Sequence, residues 1–147
     1  MSHFVSTTWK GGFAFDSTIG NHTIHIDNNA GPGHKTGPNP KPLMLASLAG
    51  CTGMDIVSLL EKMRVKVATY RMDAEAELTD EHPKIYSVIR LKYFFEGKNL
   101  KVDKIIKAVR LSKDRYCGVS AMLAMVCPIE VSVFVNGEMV MGPDEWG

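Results

Sequence analysis

"LMLASLAGCTGMDIVSLLEKM", residues 43–63, decides the fold. Its apolar side chains, Leu43, Met44, Leu45, Leu48 and Ala49 and then Ile56, Val57, Leu59, Leu60 and Met63, cover more than one helical face. That width predicts a helix buried on nearly all sides. Charge returns only at the end, with Glu61, Lys62 and Arg64, and basic residues suit the C-terminal end of a helix dipole. Inside the run sit Gly50, Cys51, Thr52 and Gly53. Glycine costs roughly 1 kcal/mol against alanine in a helix interior. Two of them around one thiol point either to a close approach at the sulfur or to tight helix packing.

Downstream, "VATYRMDAEAEL" (67–78) alternates apolar and polar residues, as a strand with one face in water does. A turn at "TDEHPK" leads to a second strand over 85–97, with Ile85, Ile89, Leu91, Tyr93 and Phe95 on one face. The two are expected to pair as an antiparallel hairpin. "KVDKIIKAVRLSKD" (101–114) predicts an amphipathic helix with Val102, Ile105, Ile106 and Val109 inward. "YCGVSAMLAMV" (116–126) predicts a second, short helix that Pro128 ends. "IEVSVFV" (129–135) is a strand, and Asn136-Gly137 signals a type I′ hairpin into "EMVM". Upstream, 3–10 and 22–27 read as strands of a small antiparallel meander. Residues 28–42, rich in Gly and Pro, form a long loop that is either functional or a plain linker. The tail "GPDEWG" is expected to be frayed or to lie on the surface. The order ββ–α–ββ–αα–ββ gives an α+β class and a single domain over 1–147.

Composition narrows the function. The chain has 147 residues, 45% hydrophobic and 22% charged, with a net charge of +1. Nothing there suggests a nucleic-acid partner or an anionic membrane surface. No apolar run is expected to approach the roughly 18 residues of a bilayer span. Met1–Val5 lacks the basic and apolar regions of a signal peptide, so the expected compartment is the cytoplasm. The three cysteines, Cys51, Cys117 and Cys127, are odd in number and widely spaced. A reducing compartment argues against a disulfide framework and leaves inert or redox-active thiols.

Two of those thiols stand beside glycines, Gly50-Cys51 and Cys117-Gly118. Cys117 is predicted in the first turn of its helix, where unpaired N–H groups and the dipole favour a thiolate. Lys113 and Arg115 add to this if they fold toward it. Cys51 lies mid-helix, and Asp55, four residues on, shares its side and disfavours a thiolate unless paired. Cys127 fits an inert buried thiol. The five histidines are scattered without metal spacing, and the methionines read mostly as core filler. "GPGHKTG" (31–37) lacks the strand–loop–helix setting and GK[ST] ending of a phosphate loop.

The pattern "GPNPKPLMLASLAGCTGMDIVSLLEKM" (37–63), two alternating strands, then "LSKDRYCGVSAML" (111–123) resembles the OsmC/Ohr family of hydroperoxide-reducing proteins, closest to its OsmC-like branch. The resemblance covers roughly residues 4–137. It implies an intertwined homodimer with long central helices wrapped by antiparallel sheets and active sites at the dimer interface. It implies a thiol peroxidase: Cys51 attacks an organic hydroperoxide and becomes a sulfenic acid, Cys117 resolves it as a disulfide, and a dithiol reductant resets the pair. Thiolate chemistry on a weak O–O bond needs no metal or other cofactor. Leu48, Met54 and Met122 are the expected apolar substrate pocket.

The chain departs from the family in its activating groups. No arginine precedes residue 64, and Lys41 or Pro42 stands where a glutamate is expected before the central helix. Lys10, Lys41 and Arg115 are the candidate substitutes, though a lysine lacks the two-pronged guanidinium geometry. The competing reading is a non-peroxidatic dimer that binds a small apolar or electrophilic ligand.

Overall fold

Alternating polarity and turn chemistry produce seven strands and three helices among residues 1–146, the residues that this computed structural model describes. The chain forms two compact units, Met1–Met44 and a larger one beginning at Leu45.

The first unit is an antiparallel sheet in the order β1 (Ser6–Gly11), β2 (Ala14–Ile19), β3 (His22–Ile26). β2, "AFDSTI", was not expected as a strand of its own, because neither of its faces carries a clean apolar alternation. Its neighbours supply the pairing that its own side chains do not advertise, from Ser6 opposite Thr18 to Ile19 opposite His22. The long loop after β3 is ordered by polar bonds. Asp27 is buried, and its carboxylate accepts the Asn28 N–H at 2.7 Å, the Thr36 N–H at 3.1 Å and the Thr36 hydroxyl at 2.6 Å. These bonds, the Thr36 hydroxyl first, hold the Asp27 carboxyl at about 2, below the ordinary 3.8. The His25 ring bridges Asp16 and the same Thr36 hydroxyl.

The second unit is built on α1 (Pro40–Lys62), of which Leu45 onward belongs here. The sheet runs β4 (Thr69–Leu78), β5 (Tyr86–Glu96), β6 (Ile129–Val135), β7 (Glu138–Met141). β4 and β5 make the expected antiparallel pair. β5 and β6 are parallel, which local patterning could not reveal. A parallel pair needs a long crossover, here α2 (Val102–Leu111), a π-helical turn (Ser112–Tyr116) and α3 (Gly118–Ala124). Asn136 and Gly137 take φ of 48° and 81°, the left-handed pair that a type I′ hairpin requires.

Leu48, Ile56 and Leu60 of α1 share the core with Ile89, Leu91, Tyr93 and Phe95 of β5 and Ile105, Ala108 and Val109 of α2. The buried positions of α1, Leu48, Thr52, Gly53, Ile56 and Leu60, form one stripe rather than the all-round burial expected, and Met54 and Val57 are exposed. Only this stripe of the helix packs on the core of the unit. α1 also corrects the expectation about apolar runs: at 23 residues it is long and apolar enough, by length and composition alone, to cross a bilayer. Asp55 is the only charge between 43 and 60, and the Gly, Ser and Thr between the aliphatic residues lower its hydropathy little.

The tail is not frayed. Pro143–Glu145 forms a 3₁₀ turn, and Trp146 is buried with its indole N–H donating to Val131 O at 2.7 Å. The Arg110 guanidinium donates to Trp146 O at 2.7 Å and lies 5.2 Å from the ring centroid. A buried indole must place its N–H, and the β6 carbonyl is the group that takes it.

Trp146→Ala is expected to lower stability by about 3–5 kcal/mol, and Trp146→Phe, which keeps a ring but drops the hydrogen bond, by about 1 kcal/mol. Urea titration of both variants checks this; wild-type midpoints would mean that the tail does not anchor the core. Asp27 yields a pH dependence. Its carboxyl is held below the unfolded value, so its contribution to order in residues 27–39 is present above about pH 4 and lost as pH falls through about 2. Hydrogen exchange at the Thr36 amide, corrected for intrinsic chemistry, should quicken over that window; a flat profile would contradict it.

Candidate active site

Helical spacing places Cys51 and Asp55, four residues apart, on one side of α1. The π-helical turn lets α2 run on to Cys117, which stands at the N-cap of α3 with an extended backbone. The three ligand-type atoms, the two sulfurs and a carboxylate oxygen, all lie within 4.8 Å of one another. Cys117 is buried, whereas Cys51 and Asp55 are half-buried, so the cluster opens to one side.

Asp55 is paired, as a carboxylate beside two thiols needs to be. The Ser112 hydroxyl, wholly buried, donates to Asp55 Oδ2 at 3.1 Å. Cys117 Sγ accepts the Ser120 N–H at 3.3 Å. The expected thiolate stabilisation at Cys117 is nevertheless reversed. Burial, above all, and the neighbouring Cys51 thiol push its thiol up, and the Ser120 contacts only partly oppose this. Desolvation acts on the whole charge, whereas one N–H at the start of a two-turn helix returns little. Burial also raises the Cys127 thiol.

Tyr93 forms the inner wall. It is buried and is pushed above the usual phenol range, chiefly by burial with smaller contributions from Cys117 and Asp55, which the neighbouring Thr52 partly opposes. A cavity of about 380 Å³ shares Tyr93 and Ser120 with this site and runs on to Cys127 and Lys113.

The glycines around Cys51 divide the two explanations open for them. A Cβ at Gly53 would come within 2.6 Å of Met72 Cε, so Gly53 serves the packing of α1 on β4. A Cβ at Gly50 would meet nothing within 4 Å, so that side of the helix is open.

Of the expected site residues, the structure brings together Cys51 and Cys117 and adds Asp55. Leu48 is fully buried in the core and lines no opening, whereas Met54 and Met122 are exposed at 77% and 63%. Arg115 is exposed in the π-helical turn, and Lys113 beside it pairs with Asp114 at 3.2 Å. Lys10 lies exposed on β1 and Lys41 exposed in the first turn of α1. Ser112, Ser120 and Tyr93 were missed as site residues. Only Tyr93 carried a signal, since a tyrosine on the inward face of a central strand must bring its hydroxyl to a partner.

Comparison with known proteins bears on the family and the fold. Residues 33–132 match the family described as "OsmC-like protein". Protein YhfA of Escherichia coli strain K12 is 32% identical over 116 residues, spanning 78% of this chain and 84% of its own. A hypothetical protein from Aquifex aeolicus VF5 superposes with a TM-score of 0.83 at 29% identity, over 92% of this chain and 97% of its own. The organic hydroperoxide resistance protein OhrB of Bacillus subtilis shares the fold, with a TM-score of 0.65 at 19% identity over 90% and 98% of the two chains.

Exposure orders the three cysteines. Iodoacetamide at neutral pH is expected to label Cys51 first, with Cys117 and Cys127 slower because both are buried and raised. Time-resolved peptide mass spectrometry reads the order; Cys117 labelling first would contradict the burial argument.

Proposed function

The chain belongs to the OsmC-like protein family, and on that premise we propose that it is a thiol peroxidase for organic hydroperoxides. The observation that carries the reading is the approach of the Cys51 and Cys117 sulfurs to within 4.8 Å, on two elements 66 residues apart in the chain. Membership of the family, together with a structural neighbour named for organic hydroperoxide resistance, supports a redox role.

The chemistry follows from the arrangement. The Cys51 thiolate attacks one peroxide oxygen, the O–O bond breaks, and the alcohol leaves with a proton, which gives Cys51 a sulfenic acid. The Cys117 thiol then attacks that sulfur, water leaves, and a disulfide forms. A dithiol reductant returns both thiols. Cys51 suits the first role because it is the half-buried sulfur on the open side, and Cys117 suits the second because its raised thiol stays protonated until an electrophilic sulfur is beside it. Among Lys10, Lys41 and Arg115 we assign thiolate activation to Arg115, two residues from Cys117 and exposed.

The same reading makes the protein a homodimer in a reducing cytoplasm. α1 leaves Met54 and Val57 in water and α3 leaves Met122, all more than half exposed. A second copy is the natural cover for these faces, and it would give Met54 and Met122 their place in an apolar pocket for the peroxide's organic part. One observation favours the alternative of an apolar-ligand protein without turnover: the Asp55 carboxylate beside the thiols and the raised Cys117 both work against thiolate formation.

Reduced protein given one equivalent of cumene hydroperoxide should form a Cys51–Cys117 disulfide, read by non-reducing peptide mass spectrometry. Cys51→Ser should abolish the link and the peroxide consumption, and Cys117→Ser should leave a trappable Cys51 sulfenic acid. Two free thiols after prolonged exposure would overturn the peroxidase reading in favour of ligand binding.

A further inference from the structure

We propose that the reduced protein holds a thiophilic divalent cation of the zinc class on Cys51, Asp55 and Cys117. Two sulfurs and a carboxylate oxygen converge within 4.8 Å of one another. Bonds of about 2.3 Å from zinc to sulfur and about 2.1 Å to carboxylate oxygen set a tetrahedral edge somewhat under 4 Å. The three atoms thus stand within about 1 Å of that edge, and Cys51 and Asp55 are half-buried rather than locked in the core.

Charge points the same way. The three groups are a thiol pair and a carboxylate; the Ser112 hydroxyl donates to Asp55 and the Ser120 N–H to Cys117. The nearby lysine, Lys113, is turned to Asp114. A divalent cation would neutralise most of the charge that two thiolates and one carboxylate bring to a partly desolvated place.

A supporting contact is already built. Metal-ligating carboxylates are held by outer hydrogen bonds that fix their orientation. Ser112, wholly buried, donates to Asp55 Oδ2 and leaves the other oxygen free for an ion. The opening on the side of Cys51 and Asp55 supplies a fourth position for water. Two thiolates select zinc, cobalt or a comparable soft or borderline ion over magnesium or calcium.

Binding would deprotonate both thiols and release two protons to the buffer for each ion held. No electron moves. The metal-held sulfurs could not attack a peroxide while their lone pairs are engaged, so occupancy would set whether the thiols are available. The inference uses the same thiols as the peroxidase reading but does not rest on it, because ion binding is measured without any peroxide.

The test is titration of fully reduced protein with Co²⁺, followed by displacement with Zn²⁺ against a chromophoric chelator. The expected result is one ion per chain, a thiolate-to-cobalt charge-transfer band, the visible bands of a tetrahedral site, and two protons released. Cys51→Ser and Cys117→Ser should each remove the charge-transfer intensity of one sulfur and weaken binding on the order of a hundredfold, with Ser112→Ala weakening it about tenfold. Cys127→Ser should bind as wild type. Circular dichroism confirms that each variant is folded; should a cysteine variant unfold, Asp55→Asn and Ser112→Ala carry the test through their weakened affinity and unchanged sulfur bands. Absence of the charge-transfer band in the wild type overturns the proposal. So does a band that survives both cysteine substitutions, or one lost only in Cys127→Ser. A protein that binds cobalt but ignores peroxide would refute the peroxidase reading alone, and the reverse result would refute the metal site alone.

Discussion

The stripe of α1 that ends in water on one side and in the core on the other governs the larger unit. Leu48, Ile56 and Leu60 are buried beside the inward residues of β5, and Gly53 lets the helix come down on Met72. A side chain larger than hydrogen at 53 would have to displace that methionine. The seat fixes the rotation of the helix about its own axis, and the rotation fixes where Cys51 and Asp55 project. Turned by one residue, α1 would send the thiol into the core or out to solvent, away from Cys117. The chemistry of the site is thus a consequence of packing at residues that take no part in it.

The second half of the site depends on an irregularity. α2 is an ordinary amphipathic helix through Leu111, and the π-helical turn at Ser112–Tyr116 follows it. π-turns inside helical segments cluster at functional places because they re-aim side chains at a cost in regular bonding. Here the turn buries Ser112 against Asp55 and delivers Cys117 as the cap of α3. A regular continuation of α2 would carry Cys117 onward as a helical residue rather than stop it at a cap. Two departures from regularity, a glycine in one helix and a wide turn after another, bring sulfur to sulfur.

The parts of this arrangement legible in the sequence were those set by local periodicity. The β4–β5 hairpin, α2, α1 as a long apolar helix and the Asn136-Gly137 turn all follow from spacing that a strand or helix imposes on its own residues. What escaped was non-local. The parallel pairing of β5 with β6 leaves no mark in either strand, and β2 is a strand because β1 and β3 flank it. Trp146 follows a Gly-Pro-Asp-Glu stretch whose composition signals a turn in water, yet the indole is drawn back by the Val131 carbonyl. The apolar breadth of α1 predicts burial on nearly all sides, by this chain or by a second one, and this chain alone supplies only the stripe.

Site electrostatics were the least legible part, and Cys117 shows why. Position at the start of a helix favours its thiolate, and that much can be read from the residues. Burial disfavours it, and burial depends on β5, α1 and the π-helical turn together. Desolvation wins because removing water acts on the full charge, whereas the cap offers the N–H of Ser120 and the partial charge of a short helix. Asp55 shows the converse. From spacing it looked like a hindrance to its neighbouring thiol, and the buried Ser112 hydroxyl turns it into a held carboxylate facing two sulfurs. A negative group fixed at such a place is a poor activator of an anion. It is a good partner for a proton on its way off Cys51, or for a cation that both sulfurs can share.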